Sequence, residues 1–311
     1  MADSTQIEWT DSTWNPVTGC TKVTAGCDFC YAERFSERFR GVPGHPFTNG
    51  FDLTLRPERL RQPLHWRQPR RIFVNSMSDL FHKGVPRHFI DAVFDTMEEA
   101  DWHTYQVLTK RSSLMTRYLR ARYGAGLGPA HIRLGVSGGD ATNAVRLKHL
   151  KDARASIKFV SFEPLLDSVG PVDLSGIDWA IVGGESGPKA RPMHPDWARS
   201  LRGQCKAAGV AFNFKQWGEW RPICQGACDW YQPLYKSNRI AHVDENQQAL
   251  DDVFGKTCTV PQLCLRNDGQ HAAIAEPGAW QEGTQPIHAF KVGKKRAGRL
   301  LDGVLHDAYP R

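Results

Sequence analysis

Long apolar runs are missing from this 311-residue chain. Nothing approaches the roughly 18 consecutive apolar residues that a membrane-spanning helix requires, so no such span is expected. The opening stretch MADSTQIEWTDS lacks the basic-then-apolar order of a secretory signal, so a cytoplasmic location is expected. No internal repeat of solenoid type is present, which excludes a stacked-repeat architecture. The charge excess is small, 40 Lys and Arg against 33 Asp and Glu, a formal +7. Such a balance suits a polyanionic partner without requiring one. Histidine is absent from the first cysteine-rich segment until His45, so a mixed Cys/His zinc knuckle is not written there.

What is present is an alternation. The runs RIFVNS (71–76), TYQVLT (104–109), HIRLGVS (131–137), IKFVSFEP (157–164), DWAIVGGE (178–185) and VAFNFKQW (210–217) are short and nearly continuously apolar. That pattern suits strands buried on both faces of a parallel sheet. A further extended segment ends at Gly19. Between the runs lie amphipathic stretches: residues 31–40, 86–100 with a proline near the start, 112–123, 141–153, and 195–209 closing on glycine. Strand–helix alternation predicts an α/β fold with a parallel sheet, open or closed into a barrel. After Trp220 the periodicity dissolves. The expected division is a barrel over 1–220, an irregular cysteine-containing subdomain over 221–290, and a basic tail over 291–311 packing on the barrel.

In parallel α/β folds ligands bind beyond the C-terminal ends of the strands. Polar residues collect there strand after strand. Asn75, Ser76, Ser78 and Asp79 follow the first run; Thr109, Lys110 and Arg111 follow the second; then come Ser137, Glu163, Glu185, and Lys215 with Gln216 and Trp217. Helix capping accounts for some Ser and Asp at such places. It accounts poorly for Glu163 and Glu185, which are flanked by proline or glycine, so an active site is expected at the barrel mouth.

Three of the eight cysteines, Cys20, Cys27 and Cys30, fall within eleven positions spaced C-x6-C-x2-C. In a reducing compartment clustered cysteines bind metal or react more often than they pair. Three thiolates are one short of a closed structural zinc site. They suffice for a four-iron four-sulfur cluster that leaves one iron open to an exogenous ligand.

The loop resembles the cluster loop of the radical S-adenosylmethionine superfamily, where three cysteines follow the first strand of a partial α/β barrel and an aromatic residue precedes the last. Phe29 holds that place in CDFC. The first two cysteines here are farther apart than the commonest family pattern. TWNPVTGC, SMSDLFH, LTKR, GVSG, SFEPLL, VGGESGPKARPM, FKQWGEW and the terminal GKKRAGRLLDG together resemble a phage-associated branch of the superfamily. They span most of residues 9–220 plus the tail.

The resemblance implies a partial (β/α)6-7 barrel of parallel strands, a 4Fe-4S cluster on Cys20, Cys27 and Cys30, S-adenosylmethionine chelated by the open iron, and a reductase or ferredoxin-type electron donor. Reduction of the sulfonium would release methionine and a 5′-deoxyadenosyl radical. Phe29 would lie near the adenine; Ser76, Ser78 and Asp79 are candidates for the amino group. Lys110, Ser137 and Glu163 would reach the carboxylate, the ribose hydroxyls or the substrate. An ammonium suits a carboxylate, and a carboxylate suits paired hydroxyls. Lys110, Glu163 and Glu185 are the candidate catalytic residues. Gly183, Gly184 and Glu185 form a GGE after a later strand and are not equated with the family's early glycine-rich motif.

Cys224, Cys228, Cys258 and Cys264 could form a second site for zinc or an auxiliary cluster, or be four separate thiols. Cys205 reads as a core residue on a helix. Trp217 and Trp220 could stack a base or seal the barrel. Lys291, Lys294, Lys295, Arg296 and Arg299 could attract a polyanion or solvate a tail helix. The expected activity is radical S-adenosylmethionine chemistry on a nucleic acid, for modification or repair. The alternatives are the same chemistry on a small metabolite or peptide, and a non-catalytic zinc- or cluster-bearing nucleic-acid-binding module.

Overall fold

The computed structural model describes residues 5, 7–139 and 143–310. Seven parallel strands form one sheet in chain order: β1 (Ser12–Trp14), β2 (Arg71–Val74), β3 (Thr104–Thr109), β4 (Ile132–Ser137), β5 (Lys158–Phe162), β6 (Trp179–Gly183) and β7 (Ala211–Gln216). Every neighbouring pair is parallel and the first and last strands do not pair, which makes a half-barrel of α/β class. All six apolar runs are strands. The extended segment before Gly19 divides: Ser12–Trp14 joins the sheet, and Val17–Thr18 turns away to pair antiparallel with Thr54–Leu55.

The crossovers carry α2 (Arg87–Glu99), α3 (Ser112–Tyr123), α4 (Asn143–Lys151) and α5 (Pro195–Ala208), while α1 (Tyr31–Glu37) follows the cysteines. The helix expected over 141–153 starts within described residues only at Asn143; positions 141 and 142 lie outside them. Helix α2 buries Phe89, Ile90, Val93, Phe94 and Met97, the three- and four-residue spacing that faces one side of a helix to the sheet. Each such side chain contributes about 1.5–3 kcal/mol of burial. Helix α5 stops at Gly209, which takes the left-handed conformation (φ 69°) that closes the last turn.

Alternation along the strands sorts the apolar residues into two cores. Ile72, Val74, Val107, Leu134, Val136, Val160, Val182, Phe212 and Phe214 point outward into the helix layer. Phe73, Phe159, Trp179 and Ile181 point inward and close around Trp9, which rises from the N-terminal segment with its ring 4.6 Å from Phe73 and 6.0 Å from Trp179. Gly135 makes this possible: a Cβ there would lie 2.4 Å from the ring of Phe159. Tyr309 seals the floor, its ring 5.0 Å from Trp179 and beneath the Arg71 guanidinium at 4.7 Å. The lower half of the barrel is therefore plugged and the upper half is open.

Residues 221–290 are more regular than the sequence suggests. Trp220–Pro222, Ile287–Lys291, Gln262–Leu265 and His271–Ala272 form a four-stranded antiparallel sheet in that order. Strands of two to five residues are too short to show a period against their own turns. Trp217 and Trp220 are both buried, with indole N–H groups donating to the carbonyls of Leu300 (2.8 Å) and Ala190 (2.6 Å). Theirs is the packing role. Residues 306–308 run antiparallel along the outer edge of β7, with Phe214 N–H donating to His306 O and Ala308 N–H to Phe212 O. Among the described residues no helix is long and apolar enough to cross a membrane.

Candidate active site

A cavity of about 960 Å³ opens above the plug at the C-terminal ends of the strands. Its floor includes Trp9, Phe73 and Leu108, and the cysteine loop forms one wall. The loop leaves the sheet at Gly19 (φ 80°), where a Cβ would sit 2.2 Å from the carbonyl oxygen of Asp52, so only glycine fits the turn. Cys27 N–H donates to Thr24 O at 2.8 Å and Cys30 N–H to Cys27 O at 3.3 Å, so the C-x2-C pair folds as a tight turn. Cys30 is the residue from which α1 starts.

All three thiols are free, half-buried and on the cavity wall. The Arg111 guanidinium donates to Cys20 Sγ at 3.4 Å. Burial pushes the Cys20 thiol up, and this cation pulls it partly back. Among the described residues no three His, Cys, Asp or Glu side chains stand close enough together to form a ready ligand set. Three free soft donors on one loop, lining one cavity and backed by a guanidinium, match in kind what an iron–sulfur cluster takes.

The strand-end residues that line the cavity separate into those bonded to the chain's own groups and those that keep capacity toward the cavity. Asp79 belongs to the first group. One carboxylate oxygen accepts from Thr109 Oγ1 (2.7 Å) and Phe81 N (3.0 Å), the other from Lys110 N (3.1 Å) and Arg111 Nη1 (3.0 Å). All its lone-pair positions are taken, so the expected contact with a ligand amino group gives way to a positioning role. Arg111 carries that role onward, donating through Nη2 to Thr21 O and Oγ1 and through Nη1 to Cys20. Ser78 likewise donates to Val17 O at 2.8 Å and pins the strand leading into the loop.

Glu185 is committed to one partner. Its buried carboxylate receives the Arg191 guanidinium at 2.6 and 2.9 Å and the Arg191 N–H at 2.8 Å, so three of its roughly four acceptor positions are taken. Arg191 then reaches the cysteine loop, donating to Ala25 O at 2.9 Å, lying 3.5 Å from Asp28, and covering the Phe29 ring at 5.1 Å. Phe29 is on the cavity wall as expected.

The cavity-facing group holds Lys110, Ser137, Glu163 and Ser76. Lys110 Nζ donates to Ser137 Oγ at 3.4 Å, and Ser76 Oγ donates to Asn15 Oδ1 at 3.2 Å. Glu163 accepts from Lys215 Nζ at 2.5 Å, a partly buried ion pair with side chains 19% and 13% exposed. Gly183 lies beside the pair, and a Cβ there would make ordinary contact with the Glu163 carboxylate and the Lys215 stem at 3.4 Å each. Asn75 adopts a left-handed conformation (φ 59°), accepts from Val17 N–H through Oδ1, and keeps a buried Nδ2 donor without a partner. A strained residue with an idle donor on a cavity wall is positioned for a ligand.

Arg191, Asn15 and the clasp role of Arg111 were not legible as site features in the sequence. Lys215 was, because it stands with Gln216 and Trp217 in the polar ring at the strand ends.

The four later cysteines stand apart. Cys264 is buried and its Sγ–H donates to Ala279 O at 3.0 Å; Cys258 ends a strand opposite Tyr235; Cys224 is exposed beside Gln225 and Arg199; Cys228 is exposed. Among the described residues they form no assembled second ligand set. Cys205 is wholly buried on α5, and burial pushes its thiol up to about 12.

A family model matches residues 4–310, nearly the whole chain, and its description is "Protein of unknown function (DUF5131)". The chain belongs to this family. No curated protein matches it. The solved structure of a spore photoproduct lyase complexed with dinucleoside spore photoproduct is similar at 13% identity, over 76% of this chain and 70% of that one, with a TM-score of 0.36.

The Arg191 clasp predicts a separation of folding from metal loading. Glu185→Gln with Arg191→Met removes the clasp without stranding a buried charge. Outer supports of this kind typically carry about 10-fold or more in metal affinity. The double variant is expected to fold and melt as the parent does while binding iron that much more weakly in a chelator competition. Equal iron retention would reduce Arg191 to a packing residue.

Proposed function

We propose that the chain is a radical S-adenosylmethionine enzyme in which Cys20, Cys27 and Cys30 hold a 4Fe-4S cluster, with a nucleic acid as substrate. The observation that supports this most is the convergence on one cavity of two features. Three unpaired thiols stand on its wall, and charged side chains from successive strands stand around its mouth. When bound, the cluster would supply the electron that cleaves the sulfonium to methionine and a 5′-deoxyadenosyl radical.

The protein's part is orientation and exclusion of water. Asp79 and Arg111 hold the Cys20 side of the loop, and Glu185 and Arg191 hold the Cys27–Cys30 side. Among the described residues no carboxylate pairs with the Lys110 ammonium, which suits an anionic ligand group. Glu163, with one oxygen on Lys215, keeps acceptor capacity for hydroxyls. The apolar floor of Trp9, Phe73 and Leu108 keeps water from below. A nucleic acid is favoured as substrate by the net positive charge and by the cations around the mouth.

Anaerobic reconstitution with iron and sulfide, followed by reduction in the presence of S-adenosylmethionine, tests the reading. The expected result is a brown protein that bleaches on reduction and releases 5′-deoxyadenosine. A loaded cluster that yields none would overturn it.

A further inference from the structure

We propose that Phe35, Phe47, His45 and Tyr31 form a stacking platform at the cavity mouth for an unpaired base of a single-stranded nucleic acid. This rests on the nucleic-acid reading above and names where the strand sits. The loop after α1 is a built lobe. Arg40 bonds both Glu37 and Asp52 at 2.6–3.0 Å, and Phe51 N–H donates to Glu37 at 2.8 Å. Gly50 (φ 55°) admits this clamp, because a Cβ there would lie 2.6 Å from the Arg40 guanidinium.

The lobe does not hide its aromatics. Phe35 is 43% and Tyr31 49% exposed, and Phe35, His45, Phe47 and Tyr31 all line the cavity. Phe35 meets Phe47 edge-on at 5.6 Å, while His45 is backed by Phe39 in a parallel stack at 3.8 Å. Rings braced from behind or at the edge keep a face free. Two exposed rings beside two half-buried ones are an unusual surface to leave in water, and base stacking on such rings is tolerant of sequence.

Charge selects the occupant. The carboxylates that line the cavity are already matched: Asp79 with Arg111, Glu163 with Lys215, Glu185 with Arg191. Lys110 inside the cavity makes no ion pair among the described residues. Neither does Arg34, the residue before Phe35 on α1, whose Nη1 would lie 2.8 Å from a Cβ at Gly187. Rings flanked by unmatched cations suit a base and its phosphate. An uncharged aromatic ligand would leave the cations idle. A duplex keeps its bases stacked on each other and offers no free face.

The test is fluorescence anisotropy on the full, anaerobically reconstituted chain without reductant. The probes are labelled oligothymidylate and oligouridylate of about 12 nucleotides and a duplex of the same length. The wild type is expected to bind the single strands more tightly than the duplex. Phe35→Ala and Phe47→Ala are each expected to weaken Kd about tenfold, and Phe35→Trp to retain binding. Trp280→Ala, at an exposed aromatic outside the cavity, should change nothing. Arg34→Ala should flatten the salt dependence, whereas the Phe variants should leave the slope alone.

Equal binding of duplex and single strand, no binding of either, or alanine variants that bind like the wild type would overturn the platform. The relative affinities of the two single strands assign it to DNA or RNA. Release of 5′-deoxyadenosine, read on the same preparations, keeps the two ideas separable. Nucleoside release without oligonucleotide binding removes the platform alone. The full binding pattern with a loaded but inert cluster removes the radical chemistry alone.

Discussion

Cys27→Ser is expected to abolish the iron–sulfur absorbance of the reconstituted protein and with it all reductive cleavage of S-adenosylmethionine. Cys20→Ser and Cys30→Ser are expected to do the same. A three-thiolate cluster has no spare protein ligand, so one loss leaves two irons open and the cluster unstable. The remaining cysteines supply the contrast. Cys205 is buried in the helix layer, Cys264 donates to a carbonyl in the small antiparallel sheet, and Cys224 is exposed beside Arg199. Their serine variants should keep about four iron atoms per chain and no zinc. If the Cys27 variant kept its full iron and activity, the open-iron site would have to be abandoned. If Cys258→Ser or Cys224→Ser removed a distinct portion of metal, a second centre would exist despite the separation of those thiols.

Asp79→Ala is expected to give the largest stability loss of any single change at the site. Asp79 and Arg111 form an ion pair with side chains only 7% and 9% exposed. Removing one partner strands a buried guanidinium, at a cost of about 3–5 kcal/mol. Thr109, Phe81 and Lys110 lose their acceptor in the same step. Denaturant titration should show the midpoint falling with little change in slope. Asp79→Leu combined with Arg111→Met should recover much of that stability, because an apolar pair in place of a buried ion pair is often neutral or better. It should not recover iron binding, since Thr21 and Cys20 would still lack their tether. A loss under about 1 kcal/mol in Asp79→Ala would mean that water reaches Arg111 and that the clasp is weak.

The barrel was legible because its signals are redundant. Strand β3 and helix α3 stand where their runs begin and end, at 104–109 and 112–123. There hydrophobic period and flanking polar residues agree. The ring of polar strand ends was legible for the same reason. What each polar residue does there was not. Asp79 and Glu163 are both carboxylates just past a strand, yet one is saturated by four donors from the chain and the other keeps capacity toward the cavity. That difference depends on Arg111 and Lys215 arriving from other strands, and no local pattern records it. Trp9 was invisible as the plug of the barrel because a single aromatic in an aperiodic segment carries no direction. The sheet within 221–290 escaped notice because strands of two to five residues, separated by turns, look like turns.

An open half-barrel has two unpaired edges, and such edges invite other chains to add strands. Here the longer one is occupied by the chain's own residues 306–308, and the other is a strand of only three residues, Ser12–Trp14. Shaving off that terminal strip would bare the flank of β7 and lift Tyr309 from beneath Trp179 together. The first symptom of such a truncation would be self-association into sheet-rich aggregates, before any change in chemistry could be read.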